Sequence, residues 1–171
     1  MIYLSIDVGI KNMGYMIYDT DLNKIVKWDI MVLCEINASK VDMITLGKTI
    51  CEKFRETYDL YKIDCVIIEN QIGFNAIRMK SVQSMISFYF IQQGIHDVHY
   101  WNSSNKLKDY GLPKKTTYPQ RKKESINITK SQISEQHPEY LEHFMNHKKK
   151  DDLADAYLQF VSFIKKQSII K

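Results

Sequence analysis

Residues 2–20, IYLSIDVGIKNMGYMIYDT, decide the fold of this chain. Residues 2–7 alternate as a β-strand does, and residues 14–20 form a second run rich in aromatic and apolar side chains. Between the two runs, Gly9 and Gly14 allow a tight turn from one strand into the next. A third strand-like run at residues 25–33 follows a polar turn, so the sequence predicts an antiparallel meander.

Beyond the meander, helical and strand-like patterns alternate. Helical spacing of apolar residues predicts helices over residues 41–58 and 77–92, and two more over about 121–136 and 150–165. Residues 65–68 form a continuous apolar run, typical of a strand covered on both faces, and residues 96–101 form a further strand. The sequence therefore predicts one α/β domain over residues 1–171, whose mixed five-stranded sheet combines the antiparallel meander with parallel strands, flanked by helices.

Charge and cysteine content narrow the possible environments. The formal charge is +4, but residues 106–150 hold eleven Lys and Arg against five Asp and Glu, a local net charge of +6. This excess indicates either a polyanionic partner or a solvated loop. Cys34, Cys51 and Cys65 form no CxxC pair and are predicted to be reduced core residues. No apolar run reaches the roughly 20 residues that span a membrane, so an intracellular, soluble protein without a membrane partner is expected.

Two carboxylates stand at strand ends. Asp7 closes the first strand, and Glu69 follows the apolar run of residues 65–68. Open α/β sheets bind ligands at the carboxyl ends of their strands, where an unpaired buried charge would be costly. Taken singly, a turn aspartate and a surface glutamate are the simpler interpretations.

The last predicted helix carries two further acids at the border of its apolar face. At about 100° per residue its apolar stripe contains Leu153, Tyr157, Phe160 and Ile164. Asp151 lies nearly opposite this stripe and is expected to point to solvent. Asp152 and Asp155, spaced i and i+3, lie together on one flank, where two like charges repel unless a cation holds them.

Convergence of these two acids with Asp7 and Glu69 would create a site of four carboxylates. Such hard oxygen ligands suit Mg²⁺, with Mn²⁺ as a substitute, and none of the five histidines shows a spacing typical of a metal site. Two ions about 4 Å apart can activate a water and stabilise the leaving oxyanion of a phosphodiester. Together with the basic region, the pattern predicts a metal-dependent nuclease.

Three segments also resemble, in order and spacing, the acidic motifs of Holliday junction resolvases: residues 6–14 (IDVGIKNMG), 68–71 (IENQ) and 150–156 (KDDLADA). The likeness is to the branch of poxvirus, related large-DNA-virus and fungal mitochondrial enzymes, with bacterial RuvC more distant. It implies a ribonuclease H-like fold, a homodimer, and Mg²⁺-dependent symmetrical cutting of four-way DNA junctions, without a small-molecule cofactor. Such a crossover junction endodeoxyribonuclease would act in DNA recombination or viral concatemer processing, in the host cytoplasm if the source is a cytoplasmic virus.

The resemblance also implies roles for individual residues. Asp7 matches the first acid of the family, Glu69 the second, and Asp152 and Asp155 the closing pair. The family's catalytic lysine follows the fifth strand, where Lys106 is preferred over Lys108. Phe74 stands near the position of an aromatic residue that enters the junction in RuvC-like enzymes, although packing against the following helix is an equal alternative.

Other basic residues near the predicted site are candidates for contacts with DNA phosphates, and Tyr110 or Tyr118 for stacking on an unpaired base. The candidates are Lys11, Arg78, Lys80, Lys108, Lys114, Lys115, Arg121, Lys122 and Lys123. Two other functions remain open: a ribonuclease H-like enzyme that cuts RNA–DNA hybrids or flaps, and a nucleic-acid-binding module without catalysis.

Overall fold

The sheet of this protein is mixed, as the sequence predicts. A computed structural model describes residues 1–73, 76–111 and 116–170. The strands are β1 (Ile2–Asp7), β2 (Asn12–Asp19), β3 (Lys24–Val32), β4 (Cys65–Asn70) and β5 (Val98–Asn102), in the order β3-β2-β1-β4-β5. The first three form the antiparallel meander, and β4 and β5 continue the sheet in parallel with β1.

The helices follow the predicted pattern with differences at their ends. They are α1 (Met43–Tyr58), α2 (Ile77–Gln92), α3 (Tyr118–Gln136), the short α4 (Leu141–Asn146) and α5 (Lys150–Ile170). Helix α3 begins before Arg121 because Thr117 and Gln120 form a reciprocal capping box ahead of Pro119. Helix α4 was not predicted, since its six residues are too few to show a helical period.

Helices cover both faces of the sheet. On one face, α1 and α2 contribute buried side chains such as Leu46 and Val82, and on the other α5 and α3 contribute side chains such as Leu153 and Ile133. The apolar run of β4 divides between the two cores, because Val66 and Ile68 face one and Cys65 and Ile67 face the other. The predicted double coverage of this strand is therefore confirmed.

The cysteine prediction is wrong at one position. Cys65 is fully buried and Cys34 half-buried, but Cys51 is exposed. Cys51 follows the buried Ile50 in α1, and consecutive residues of a helix point in different directions, so an apolar neighbour does not imply burial. Among the described residues, no helix is long and apolar enough to cross a membrane.

A buried polar contact fixes α5 against the sheet. The Ser5 hydroxyl of β1 donates a hydrogen bond to the Ala156 carbonyl at 2.8 Å. The Gln159 amide nitrogen lies 3.1 Å from Ser5 Oγ, 3.0 Å from the Ile6 carbonyl and 3.1 Å from the Ile67 carbonyl. Because Ser5 and Gln159 are both fully buried, loss of either would leave unpaired polar groups in the core. The contact therefore sets the position of α5 relative to β1 and β4.

A second close approach joins the start of α5 to β2. A Cβ atom built on Gly14 would lie 2.4 Å from the Asp152 carbonyl oxygen, closer than van der Waals contact permits. Only glycine allows the two backbones to meet here, and the approach places Asp152 beside the end of β1, whose Asp7 pairs with Gly14.

We expect Gly14→Ala to lower the free energy of unfolding by about 1–3 kcal/mol, the usual cost of forcing extra volume into a packed region. Gly47→Ala is the matched control, because Gly47 lies in α1 and its added methyl group would meet only the flexible Met85 side chain at 3.3 Å. In a helix this change should stabilise the protein by roughly 0.5–1 kcal/mol. Urea unfolding followed by circular dichroism measures both, and equal effects would contradict the close approach.

Candidate active site

One cavity contains all five residues predicted to be catalytic. It has a volume of about 670 Å³ and is lined by Asp7, Glu69, Lys106, Asp152 and Asp155. Asp7 ends β1 and Glu69 lies near the end of the parallel β4, so both carboxylates reach the same edge of the sheet. Helix α5 supplies the other two acids from the adjacent layer. The expected convergence of four carboxylates is therefore present in the fold.

Lys106 lies at the centre of this group. It follows the 3₁₀ turn Ser103–Asn105 directly after β5, and only 3% of it is exposed. Its ammonium nitrogen is 3.1 Å from Asp7 Oδ1, 3.0 Å from Glu69 Oε1 and 3.8 Å from Asp155 Oδ1. Lys108, the alternative from the sequence, is exposed in the next 3₁₀ turn. The positions of the two side chains therefore favour Lys106 over Lys108 as the lysine that interacts with the carboxylates.

The buried charges shift one another's protonation. Burial raises the pKa of the Asp7 carboxyl well above its usual range; Lys106 opposes this shift, while Glu69 and Asp155 add to it. Burial likewise raises the pKa of Asp155, against the attraction of Lys106. Burial alone would lower the pKa of Lys106, but the surrounding carboxylates outweigh it and the pKa is raised. Four carboxylates and three basic side chains line the cavity, so an excess of acidic groups remains, which favours an additional cation.

The Gln71 side chain holds Glu69 in place, and Gln83 in turn holds the backbone of Gln71. Gln71 donates a hydrogen bond from its Nε2 to Glu69 Oε2 at 2.8 Å, and its own backbone N–H donates to Gln83 Oε1 of α2 at 2.7 Å. On the neighbouring strands, Asn70 Nδ2 donates to Asn102 Oδ1 at 2.8 Å. Gln71 belongs to the IENQ segment, but its role is not evident from the sequence, because its partner Gln83 lies on α2, twelve residues further along the chain.

The expectation that Asp151 points to solvent is wrong. Its carboxylate forms an ion pair with Lys122 of α3, and Lys122 opposes burial to keep the pKa of Asp151 below its usual range. Helical phase gives the direction of a side chain but not the helix that packs there, so α3 could not be placed from the pattern of α5. Asp152 Oδ2 lies 4.0 Å from the ammonium nitrogen of Lys149, in the turn directly before α5.

The predicted DNA contacts separate into groups. Arg121 and Lys122 line the cavity, as does Tyr118. Lys80, Lys108 and Lys123 are exposed elsewhere on the surface, whereas Lys11 donates a hydrogen bond to the Glu35 carbonyl at 2.9 Å. Phe74, Lys114 and Lys115 lie outside the described residues, so the predictions for them stay predictions.

Arg78 forms hydrogen bonds with backbone carbonyls that the sequence did not indicate. Its guanidinium donates hydrogen bonds to the carbonyls of Ala38, Ser39 and Val41, in the segment that precedes α1. These bonds hold the segment before α1 against α2, which gives Arg78 a structural role, and its contact with a DNA phosphate stays a prediction. The sequence shows that Arg78 is positively charged, but it does not show which backbone carbonyls the fold brings to its guanidinium.

Several polar residues of the cavity were not singled out from the sequence: Asn12, Ser103, Ser104 and Ser125. Asn12 belongs to the quoted IDVGIKNMG segment, which could have indicated it. Ser125 stands four residues after Arg121 on α3, one helical turn away, so a correct start for that helix would have placed both on one face.

The sheet order and the acidic cavity define the class of protein as RuvC-like, with a ribonuclease H-like fold. The fowlpox virus Holliday junction resolvase is 26% identical over 98% of this chain and 99% of that chain, with a TM-score of 0.65. The fowlpox resolvase in complex with Holliday junction DNA has a TM-score of 0.71 at 24% identity. Thermus thermophilus RuvC with a Holliday junction substrate shares the fold, with a TM-score of 0.66 at 11% identity.

The chain belongs to the poxvirus A22 protein family, whose model matches residues 1–166. The uncharacterized protein L451 of Acanthamoeba polyphaga mimivirus is 34% identical over 127 residues, which are 63% of this chain and 30% of that protein. The uncharacterized protein 97L of Invertebrate iridescent virus 3 is 28% identical over 118 residues, 66% of this chain and 56% of that protein. The chain thus matches less than a third of the mimivirus protein and little more than half of the iridescent virus protein.

We expect Lys106→Met to lower the free energy of unfolding by about 3–5 kcal/mol at neutral pH, because it leaves buried carboxylates without their ammonium partner. The folded-state pKa values of Asp7 and Asp155 are raised, so these groups take up protons first in the folded protein as the pH falls. The cost of the substitution should therefore decrease toward acidic pH. Lys108→Met, at an exposed position, should change stability by less than about 0.5 kcal/mol.

Chemical denaturation in a chelating buffer at several pH values measures both variants. A pH-independent loss in Lys106→Met, or an equal loss in Lys108→Met, would contradict the buried ion cluster.

Proposed function

We propose that this protein is a structure-selective endodeoxyribonuclease that cuts four-way DNA junctions by hydrolysis of paired phosphodiester bonds. The observation that carries the proposal is the convergence of Asp7, Glu69, Asp152 and Asp155 around Lys106 in one cavity. The likeness to the fowlpox virus resolvase along nearly the whole chain supports the choice of substrate.

The carboxylates that line the cavity fit a divalent metal ion that prefers hard oxygen ligands. The four carboxylates line the cavity with no thiolate or imidazole among them, and the excess negative charge would favour Mg²⁺ or its substitute Mn²⁺. Asp7, Glu69, Asp152 and Asp155 would hold two such ions. When bound, the ions would supply an activated water and stabilise charge on the leaving oxygen.

The protein's own groups would position the DNA. The Lys106 ammonium stands at the wall of the cavity, where it can donate to a phosphate oxygen, and Gln71 keeps Glu69 in its orientation. Arg121 and Lys122 lie on α3 beside the acids, so a DNA backbone bound along α3 would bring a phosphodiester to the cavity. Phosphate contacts of this kind fix position without reading base sequence, as a structure-selective enzyme requires.

Tyr118 adds a surface for an unpaired base. Its ring is 62% exposed at the start of α3 and lines the cavity, with the Lys122 ammonium 5.2 Å from the ring centroid. An exposed aromatic ring stacks on any base, and a junction offers unstacked bases that a continuous duplex does not. This arrangement favours branched DNA over an intact duplex.

The proposal includes a homodimer, because two symmetrical cuts need two sites on one junction. Helix α2 is the candidate interface, because it exposes Phe88 at 66% and Ile91 at 45%. Tyr100 of the edge strand β5 is 47% exposed beside them, with its hydroxyl 2.7 Å from Ser87 of α2. An apolar patch of this kind suits a two-fold interface.

We expect the protein with Mg²⁺ to cut a synthetic four-way junction into paired nicked duplexes. Asp7→Asn should reduce the cleavage rate at least about a hundredfold, as expected for loss of a group that stabilises charge in the transition state. Asp109→Asn, which changes an exposed carboxylate outside the cavity, is the matched control and should cut like the unmodified protein.

A linear duplex, a flap and an RNA–DNA hybrid in the same assay separate the alternatives. Faster cutting of the hybrid or flap than of the junction would favour a ribonuclease H-like enzyme that acts on those substrates. Junction binding without any cutting would favour a nucleic-acid-binding module without catalysis.

We expect Phe88→Glu to weaken the dimer, because it places a charge in the apolar patch of α2. Light scattering should then show a monomer, and the two cuts on one junction should become uncoupled while single nicks persist. Leu60→Glu, at a site that is 82% exposed in the turn after α1, should remain dimeric. A monomeric unmodified protein, with and without DNA, would contradict the proposed assembly.

A further inference from the structure

Three side chains with different metal-binding chemistry meet at the amino ends of β4 and β5. The Cys65 thiol, one carboxylate oxygen of Asp97 and one imidazole nitrogen of His99 all lie within 4.8 Å of one another. The parallel pairing explains why: Val66 is opposite Val98 and Ile67 opposite His99. Side chains alternate along a strand, so Cys65, Asp97 and His99 all point to the face of the sheet that α5 covers.

This cluster is separate from the candidate active site. Cys65 is the first residue of β4 and Glu69 the fifth. A strand rises about 3.3 Å per residue, so the two residues are roughly 13 Å apart, at opposite ends of the sheet. The donors also differ, because the active site offers carboxylates whereas this cluster combines sulfur, nitrogen and oxygen.

The surroundings of the thiol are electrostatically negative. The His99 Nε2 lies 2.6 Å from Asp97 Oδ1, and Asp64 is nearby, where its carboxylate accepts a hydrogen bond from the Ile2 N–H at 2.7 Å. Burial raises the pKa of the Cys65 thiol, and the charges of Asp97 and Asp64 raise it further. The negative charges of Asp97 and Asp64 that disfavour a thiolate at Cys65 would also attract a cation to this position.

We propose that Cys65, Asp97 and His99 bind one thiolate-preferring divalent cation such as Zn²⁺. The Cys65 Sγ, one Asp97 oxygen and the His99 Nε2 would be its protein ligands, with water in the fourth position. Binding forms the metal–sulfur bond and releases the thiol proton to solvent. The ion replaces the hydrogen bond between His99 and Asp97, whose side chains are 38% and 51% exposed and therefore have room to separate.

A cation here would secure the edge of the sheet. β5 is an edge strand, and Lys106 of the candidate active site follows it after one 3₁₀ turn. An ion that joins Cys65 of β4 to Asp97 and His99 crosslinks the two strands at their amino ends. The ring of Phe163 from α5 packs 5.0 Å from the His99 ring and shields this end of the cluster.

Cobalt(II) titration of the reduced, full-length protein tests the proposal. Co²⁺ bound to a thiolate gives a ligand-to-metal charge-transfer band in the near ultraviolet, whereas Co²⁺ bound to carboxylates does not. Excess Mg²⁺ in the buffer would compete with Co²⁺ for the carboxylate cavity, and the band itself reports only Co²⁺ bound to a thiolate. We expect a band that saturates at one Co²⁺ per chain and is displaced by Zn²⁺.

The variants assign the ligands. Cys65→Ser should abolish the band, and His99→Gln, at a partly exposed position of the edge strand, should weaken Co²⁺ binding at least about tenfold. A combined Cys34→Ser and Cys51→Ser variant is the matched control and should keep the band. Absence of a band in the unmodified protein, its persistence in Cys65→Ser, or unchanged affinity in His99→Gln would each overturn the proposal.

Discussion

The ammonium group of Lys106, buried among carboxylates, is the interaction on which the rest of the site depends. Three acids from three different elements approach it, and when ionised they would repel one another at these short distances. The positive charge of Lys106 opposes both burial and that repulsion, yet burial, with a further contribution from the neighbouring carboxylates, keeps the pKa values of Asp7 and Asp155 raised. The cluster is therefore stable enough to fold and still deficient in positive charge. Binding of a cation would therefore lower the electrostatic free energy of the site, because it would neutralise carboxylates that Lys106 alone does not.

The fold imposes this arrangement through contacts that lie away from the acids. Ser5 and Gln159 join α5 to β1 and β4 in the core, which fixes the height of the helix along the sheet. Gly14 then lets the first turn of α5 approach β2, so that Asp152 comes beside the end of β1. Because each of these contacts is buried and short, small changes in them would displace the acids by a distance that metal ligands do not tolerate. The precision of the site thus comes from polar and steric contacts in the core as well as from the site residues.

Much of this organisation was predictable from local patterns. The bounds of β1 and α2 agree with the prediction, and the helical phase of α5 correctly placed Asp152 and Asp155 on one flank of its apolar stripe. What the sequence did not reveal were pairings between distant segments. The ion pair between Asp151 and Lys122 needs the position of α3, and the hydrogen bonds of Arg78 need the backbone of another segment. Periodicity describes one element at a time, whereas these contacts depend on how two elements meet.

The two ends of β4 illustrate how one strand supports sites of different chemistry. At its carboxyl end the strand presents Glu69 to carboxylates from two other elements, β1 and α5, and at its amino end it presents Cys65 to Asp97 and His99 at the start of β5. Carboxylates alone favour hard ions such as Mg²⁺, and a thiolate with an imidazole favours Zn²⁺, so each ion has lower affinity for the other's ligands. An ion at the amino end would restrain β5, and β5 leads directly to Lys106. The edge strand β5 thus joins the two sites covalently, since Asp97 and His99 stand at its start and Lys106 follows its end.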